Sequence, residues 1–501
     1  MQRKDLYLVG ILLLCLLFIF LPLFYSEYIY MDEALQLWGY RAVPGFYMFI
    51  DEGRFLTEEL QRWLFNRIDT IHGVKYVRLF SLFGWMLCLP LWYAIIKREV
   101  SNVPKYKYLP FFTCLYLITN PSFLVAVQWA TCLQFFISDT VSLLAGAIVV
   151  NSLRAEDFKI QKGLWAGIIA LLLGIPALFL YQGSWSCFLI PFFLYFINPL
   201  NNNKNKVLLR GAIVHFAVYA AYFIIYKASF LIWDNIPEDP RNKLYINPFI
   251  KMAFFLARPL ERSFRFTLIT EERSLISLAF YILSVLSLAL LTFKRFGQEK
   301  RRQAVKHLAI VLFGFGVIAY LPGLLIEENY ASNRTLFTLN LVVFIFCFEM
   351  ALYYIKNKWV LQIGGVAVCV FFVWCARFNS YQGFVRPLVA ETAALKNYFR
   401  LHYNANIQSV HFIRPPEDIM AKKYHINYSM DEFGVPSSHF IWAPENQTKQ
   451  MIYETTGDRA AASKILVKQW TNNEEYARSG EKVDSTVLLV DVKAIIDTIT
   501  P

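Results

Sequence analysis

A chain of 501 residues that is 57% hydrophobic and only 17% charged, with a mean hydropathy of +0.40, is too apolar for an ordinary soluble globular protein. Its net charge of +12 does not argue for nucleic acid, because Lys and Arg sit in short connections between apolar runs. All eight cysteines lie in or beside apolar segments, at spacings that fit neither a metal site nor a disulfide framework.

The apolar runs predict an integral membrane protein with about eleven spans, since each approaches the roughly 20 residues needed to cross a bilayer. They fall near 6–25, 79–96, 108–127, 133–152, 163–181, 184–198, 208–230, 274–293, 308–326, 335–355 and 359–376. The first run lacks a small-residue cleavage site, as Pro22-Leu23-Phe24-Tyr25 is bulky, and reads as a retained helix. Basic clusters precede the first span and follow the second, fourth, sixth, eighth and tenth, among them Lys97, Arg98, Arg154, Lys204, Lys294, Arg295 and Lys356. That alternation places the N-terminus in the cytoplasm and, with an odd span count, the C-terminal tail outside. Anionic lipid headgroups are the expected partner of the basic connections.

The first outer loop, residues 26–78, is the most informative stretch. It is long and half apolar, and it carries Asp32-Glu33 and Asp51-Glu52-Gly53-Arg54. A loop that merely joined two helices needs only a few residues. Asp32, just outside the first span, could be a general base or could cap the helix that follows. Gly53 permits a turn or a close approach to a ligand, and the Arg54 fork suits phosphate oxygens; Asp51 or Glu52 is expected either to hold that Arg or to cap the helix starting at Phe55. Lys75 and Arg78 read as anchors heading the second span.

Further along, Tyr181-Gln182 sits at an outer helix end, as a sugar-facing pair or an aromatic anchor. The stretch after 231 opens with Trp-Asp-Asn-Ile-Pro and continues with Arg258, Arg262 and Arg265 at helical spacing. It reads either as an interfacial helix or as a solvated basic face. Arg334, heading a late span, could meet a phosphate or pair with Glu327 or Glu328. From about Phe378 the composition becomes that of a soluble domain. Helices are expected at Pro387–Tyr403 and Lys449–Thr455, and strands at Ser409–Ile413, His439–Trp442 and Thr486–Val490. The expected fold is an all-α polytopic membrane domain, 1–377, with a small extracytoplasmic α/β domain, 378–501.

Taken in order, these residues resemble the GT-C superfamily of polytopic, polyprenyl-phosphate-sugar-dependent glycosyltransferases. Within it the chain is most similar to the bacterial O-antigen-modifying glucosyltransferase (Gtr) family. The acidic pair Asp32-Glu33, then Gly53-Arg54-Phe55-Leu56, then Tyr181-Gln182, then Arg334 within Ala331-Ser332-Asn333-Arg334-Thr335 carry the likeness. The second acid departs from it, being Glu33 where the family often has Asp. The resemblance implies an inner-membrane enzyme moving a hexose, glucose by analogy, from a polyprenyl phosphate to a surface glycan or lipid-linked oligosaccharide. It implies Asp32 as catalytic base with Glu33 second, Arg54 and Arg334 on the donor phosphate, and Asp51, Tyr181, Gln182 and Glu328 on substrate. A divalent metal, Mg or Mn, would suit carboxylates beside a phosphate, though nothing requires one. The competing classes are a flippase or transporter of lipid-linked sugars, and an O-antigen polymerase or ligase. Transporters often show internal repeats, absent here, and polymerases usually keep their major outer loop late in the chain.

Overall fold

The computed structural model describes residues 2–154, 160–229, 243–245, 247–268, 274–429 and 432–500. Among them, eight helices are long and apolar enough to cross a membrane. They are Arg3–Phe24, Ile71–Val100, Ala130–Leu153, Gln161–Leu180, Lys204–Ser229, Leu275–Phe296, Asn333–Tyr354 and Lys358–His402. A ninth is a bent pair, Pro104–Thr119 and Pro121–Gln128, angled by 52°. The bend has a local cause. Pro121 has no N–H to give to the preceding turn. Asn120 serves both sides of the break: its Oδ1 accepts from Phe123 N at 3.1 Å, and its Nδ2 donates to Leu117 O at 2.8 Å.

Eleven spans are not confirmed among the described residues. The expected span at 184–198 is the short helix Gln182–Ile197, whose first part is wound as 3₁₀. The one at 308–326 is interrupted: a helix Arg301–Ala309 widens into a π segment, Ile310–Val317, and restarts as Leu321–Leu325. The basic connections nonetheless gather at one end of the bundle. There Lys97 pairs with Asp5 at 2.6 Å, Arg154 with Glu99 at 3.3 Å, and Arg295 with Glu349. The long first loop, Gln182, Ala130 and Asn333 meet at the other end.

At that second end the C-terminal region forms a three-stranded parallel sheet. Strands β1 (Ser409–Ile413), β2 (Leu466–Trp470) and β3 (Val487–Asp491) lie in the order β2-β1-β3. β1 and β3 coincide with expected strands. β2 went unread because it is an edge strand carrying Lys468 and Gln469, with little burial to impose an apolar pattern. The expected strand at His439–Trp442 is instead a turn following a 3₁₀ segment, Ser437–His439.

Lys358–Phe378 continues through a π turn at Asn379–Val385 into Arg386–His402, so one helical stretch carries the chain from the apolar helix into the C-terminal region. One further expectation changes. The basic segment bearing Arg262 and Arg265 is not a solvated face. Both arginines are buried, as are Leu260, Phe264 and Leu268, and Arg262 donates to Ala331 O. The Trp-Asp-Asn-Ile-Pro opening of that loop lies outside the described residues.

The first loop joins the C-terminal domain in one hydrophobic core. The helix Asp32–Ala42 contributes Ala34, Leu37 and Trp38, which pack with Leu395, Phe399, Val410, Met451 and Ile452. This shared core fixes Asp32 relative to the bundle.

Candidate functional site

Asp32 opens its helix but does not cap it. The cap position belongs to Met31, whose φ of 46° and ψ of −112° lie where a residue with a Cβ is strained. The strain is held from the C-terminal domain, as Met31 N donates to Ser437 Oγ at 2.9 Å. Ser437 N and Ser438 N in turn donate to the buried Glu391, at 2.8 and 3.0 Å. Glu33 reaches back to Tyr30 N at 2.7 Å and accepts from Ala130 N at 2.7 Å. It also pairs with Arg78, which lies 3.5 Å over the Tyr28 ring. Both members of this pair are fully buried. Arg78 is therefore no interfacial anchor, and Glu33, expected as a second base, has both oxygens committed to holding the loop.

Asp32 remains partly exposed. Burial pushes its carboxyl up to about 6, against the pull of the Arg334 guanidinium; Glu52 pushes the same way as burial, and the polar edge of Trp442 pulls against it. Asp32, Glu52, Arg334 and Trp442 thus share one neighbourhood, drawn from two regions of the first loop, a late helix and the C-terminal domain.

Arg54 lies on the same side. Its Nε donates to Gln182 Oε1 at 3.1 Å, its Nη1 pairs with Glu52 at 2.8 Å, and its guanidinium sits 4.9 Å over the Tyr181 ring. Of the two acids that could hold Arg54, Glu52 does so, while Asp51 offers its carbonyl to Tyr226 Oη at 2.8 Å. Gln182 Nε2 donates to Glu52 O at 2.7 Å and to Tyr222 Oη at 2.8 Å. Gly53 has φ 73°, and a Cβ there would come within 2.6 Å of Tyr222 Oη, so the turn expected of it occurs and its backbone approaches Tyr222 closely. Tyr181 is buried and stacks on Phe135 at 4.4 Å, which is not the setting of a lipid-facing anchor.

Arg334 bonds neither Glu327 nor Glu328. Its Nη2 donates to Tyr330 Oη at 2.7 Å, its guanidinium lies 4.3 Å over Trp129, and its backbone N donates to Glu432 at 3.1 Å. Its Nη1 is buried with no hydrogen-bond partner among the described atoms, so a donor with full charge is left to serve an incoming acceptor. The charges of Arg54 and Arg334 both reach Tyr181 and Cys132, so the two guanidinium groups lie on the same side of the molecule. Glu328 is exposed at the bend after Leu321–Leu325, where its carbonyl accepts from Lys251 Nζ at 3.4 Å. Among the described residues no group of three or more His, Cys, Asp or Glu side chains is placed to hold a metal ion.

The geometry brings together Asp32, Arg54, Tyr181, Gln182 and Arg334, and it sets Glu33 and Glu328 apart from them. Trp129, Tyr330, Glu432 and Trp442 were not singled out from the sequence. Trp129 and Tyr330 are lone aromatics, Trp442 lies in a stretch expected as a strand and Glu432 follows Asp431, with no spacing that marks any of them as part of a site; only the fold collects them. A carboxyl poised near 6 beside guanidinium groups can take a proton near neutral pH while an anion is held nearby. Several of the helices beneath it are long and apolar enough to span a membrane, which fits a multi-pass membrane protein with its polar site at one end of the bundle. Compared with known proteins, the chain matches no family model and no curated protein.

Proposed function

We propose that the protein is a membrane glycosyltransferase of the polyprenyl-phosphate-sugar-dependent type, acting at the end of the bundle where the first loop meets the C-terminal domain. The observation that carries this reading is the pairing of a partly exposed Asp32, held near 6, with the charge of Arg334, whose Nη1 has no hydrogen-bond partner among the described residues. In this reading the acceptor hydroxyl gives its proton to Asp32 as its oxygen bonds the anomeric carbon. The bond from that carbon to the phosphate oxygen breaks, and the electron pair leaves on the lipid phosphate. Arg334 and Arg54 stabilise the charge that grows there. One displacement inverts the anomeric configuration. Gln182 and Tyr181 hold Arg54, and Glu33 with Arg78 holds the loop. The site faces away from the cytoplasm if the basic end lies inside.

The test uses the full chain in nanodiscs, a polyprenyl-phosphate hexose radiolabelled in the sugar, and a glycan acceptor. The reading expects labelled glycan of inverted anomeric configuration. Product of retained configuration would contradict the single displacement. Translocation of the labelled lipid without transfer to any acceptor would favour a flippase.

A further inference from the structure

We propose that Glu432 is a positioning residue for the donor phosphate: from the C-terminal region it caps the helix that carries Arg334, and so sets where that guanidinium points. The inference rests on the reading of Arg334 as a phosphate-holding group. It goes further by making donor binding depend on a carboxylate that bonds backbone rather than donor.

Arg334 lies in the first turn of a late helix, which starts as 3₁₀ over Asn333–Leu336 and continues as Phe337–Tyr354. The leading N–H groups of a helix find no partner within it. Ser332, in the cap position, does not serve them. Its side chain makes no capping bond, and its Oγ is buried without a hydrogen-bond partner among the described residues. Glu432 takes that place from 99 residues away along the chain. It is buried; one oxygen accepts from Asn333 N at 2.7 Å and the other from Arg334 N at 3.1 Å. Asn333 Nδ2 adds a third bond, to Ser429 Oγ at 2.8 Å. A carboxylate suits this place, because the start of a helix carries the positive end of its dipole. Among the described atoms neither oxygen bonds the guanidinium, which is steadied by Tyr330 and Trp129 and keeps Nη1 for a ligand.

Glu432 is itself firmly mounted. Its N donates to Ser429 O at 3.0 Å, and Ser429 and Phe433 exchange backbone bonds at 3.1 and 3.2 Å. Gly434 N donates to Gly383 O at 3.1 Å, which ties this turn to the π turn Asn379–Val385. Phe384, beside Gly383, packs on Phe433 with ring centroids 5.8 Å apart and on Tyr30 at 4.8 Å. One π turn therefore supports both Glu432 and the residue two places before Asp32. A flexible arginine aims its fork no better than its backbone is fixed, and a displacement of about 1 Å at such a group costs binding and rate out of proportion to one bond.

The test is a double-mutant cycle read as donor binding, with the full chain in nanodiscs. It uses two probes, a polyprenyl-phosphate hexose and the same polyprenyl phosphate without its sugar. Glu432→Ala is expected to weaken both probes roughly tenfold, and Glu432→Gln, which keeps an acceptor for one N–H, to recover most of that. In the Arg334→Ala background the Glu432 substitutions should add less than about twofold, because the group they position is gone. Ser429→Ala loosens the same helix start while leaving Glu432 in place, and should weaken both probes by about threefold. It serves if Glu432→Ala does not fold. A variant at either position that melts lower but binds both probes as the parent does would make the contact merely structural and overturn the proposal. So would an equal loss with and without Arg334, or a loss seen only with the sugar-bearing probe. If Arg334→Ala itself leaves donor affinity unchanged, the phosphate reading falls and the proposal with it. If Arg334→Ala weakens the donor while Glu432→Ala and Ser429→Ala do not, that reading stands and the proposal alone falls.

Discussion

Asp32 and Glu33 are adjacent in sequence and opposite in circumstance. Glu33 has spent both oxygens on Arg78, Ala130 and Tyr30, whereas Asp32 keeps access to solvent and feels Arg334 and Glu52. Removing one partner of a buried pair leaves the other charge uncompensated, at a cost of about 3–5 kcal/mol. Glu33→Gln and Arg78→Leu should therefore each lower the melting temperature markedly, and the double variant should recover part of the loss. A neutral thermal shift for either single variant would show that the pair does not hold the loop. Asp32 has a different signature. Its folded carboxyl lies near 6, above the ordinary 3.8, so across that window the folded chain binds more protons than the unfolded one. Stability should fall as pH rises through it, and Asp32→Asn should flatten that slope in denaturation curves. For the arginines, charge-assisted bonds to a phosphate contribute about 1.5–3 kcal/mol each. Arg334→Ala should thus weaken binding of a polyprenyl-phosphate sugar by one to two orders of magnitude. Equal donor affinity in the variant would remove Arg334 from the phosphate.

At the scale of elements, the site depends on backbone shapes that few residues allow. Gly53 turns with φ 73° directly under Tyr222, so Gly53→Ala meets both a left-handed backbone and a clash at 2.6 Å. It should cost more than about 1 kcal/mol in stability and loosen Arg54 from Gln182. Chemical denaturation and donor titration would report the two effects, and a fully stable Gly53→Ala protein would contradict the packing of this turn. Such features were legible where one residue type has one strong physical use: Gly53 as a turn, Arg54 as a fork with an acidic partner, β1 from its β-branched and aromatic run. Some features had a local signal that the apolar count passed over, as Asn120-Pro121 does in bending its helix pair; others had none, as the π segment Ile310–Val317 has no proline to announce it. Apolar periodicity alone therefore counts more spans than the structure holds as long helices.

On the scale of the whole molecule, the first loop and the C-terminal domain form one body over the end of the bundle. Trp38 and Leu37 of the loop share a core with Leu395 and Met451, although more than three hundred residues separate them in the chain. The composition change near Phe378 falls inside the helix Lys358–His402, which passes from apolar to amphipathic through a π turn at Asn379–Val385. Truncation after residue 402 should consequently uncover the loop as well as delete the sheet. Limited proteolysis is expected to cut the truncated protein between 26 and 70 while the intact chain resists there. Equal resistance would show that the loop orders itself without the domain. The docking also reaches the charged groups, since Met31 beside Asp32 is held by Ser437 and the backbone of Arg334 by Glu432.

The most direct test of the central claim is the pH dependence of hexose transfer under single-turnover conditions, for the parent and for Asp32→Asn. With Asp32 as the base, the parent rate should rise about tenfold per pH unit below a midpoint near 6 and level off above it. Asp32→Asn should lose transfer at every pH while still binding the donor. A folded Asp32→Asn protein that transfers at the parent rate, with the same pH profile, would contradict the account.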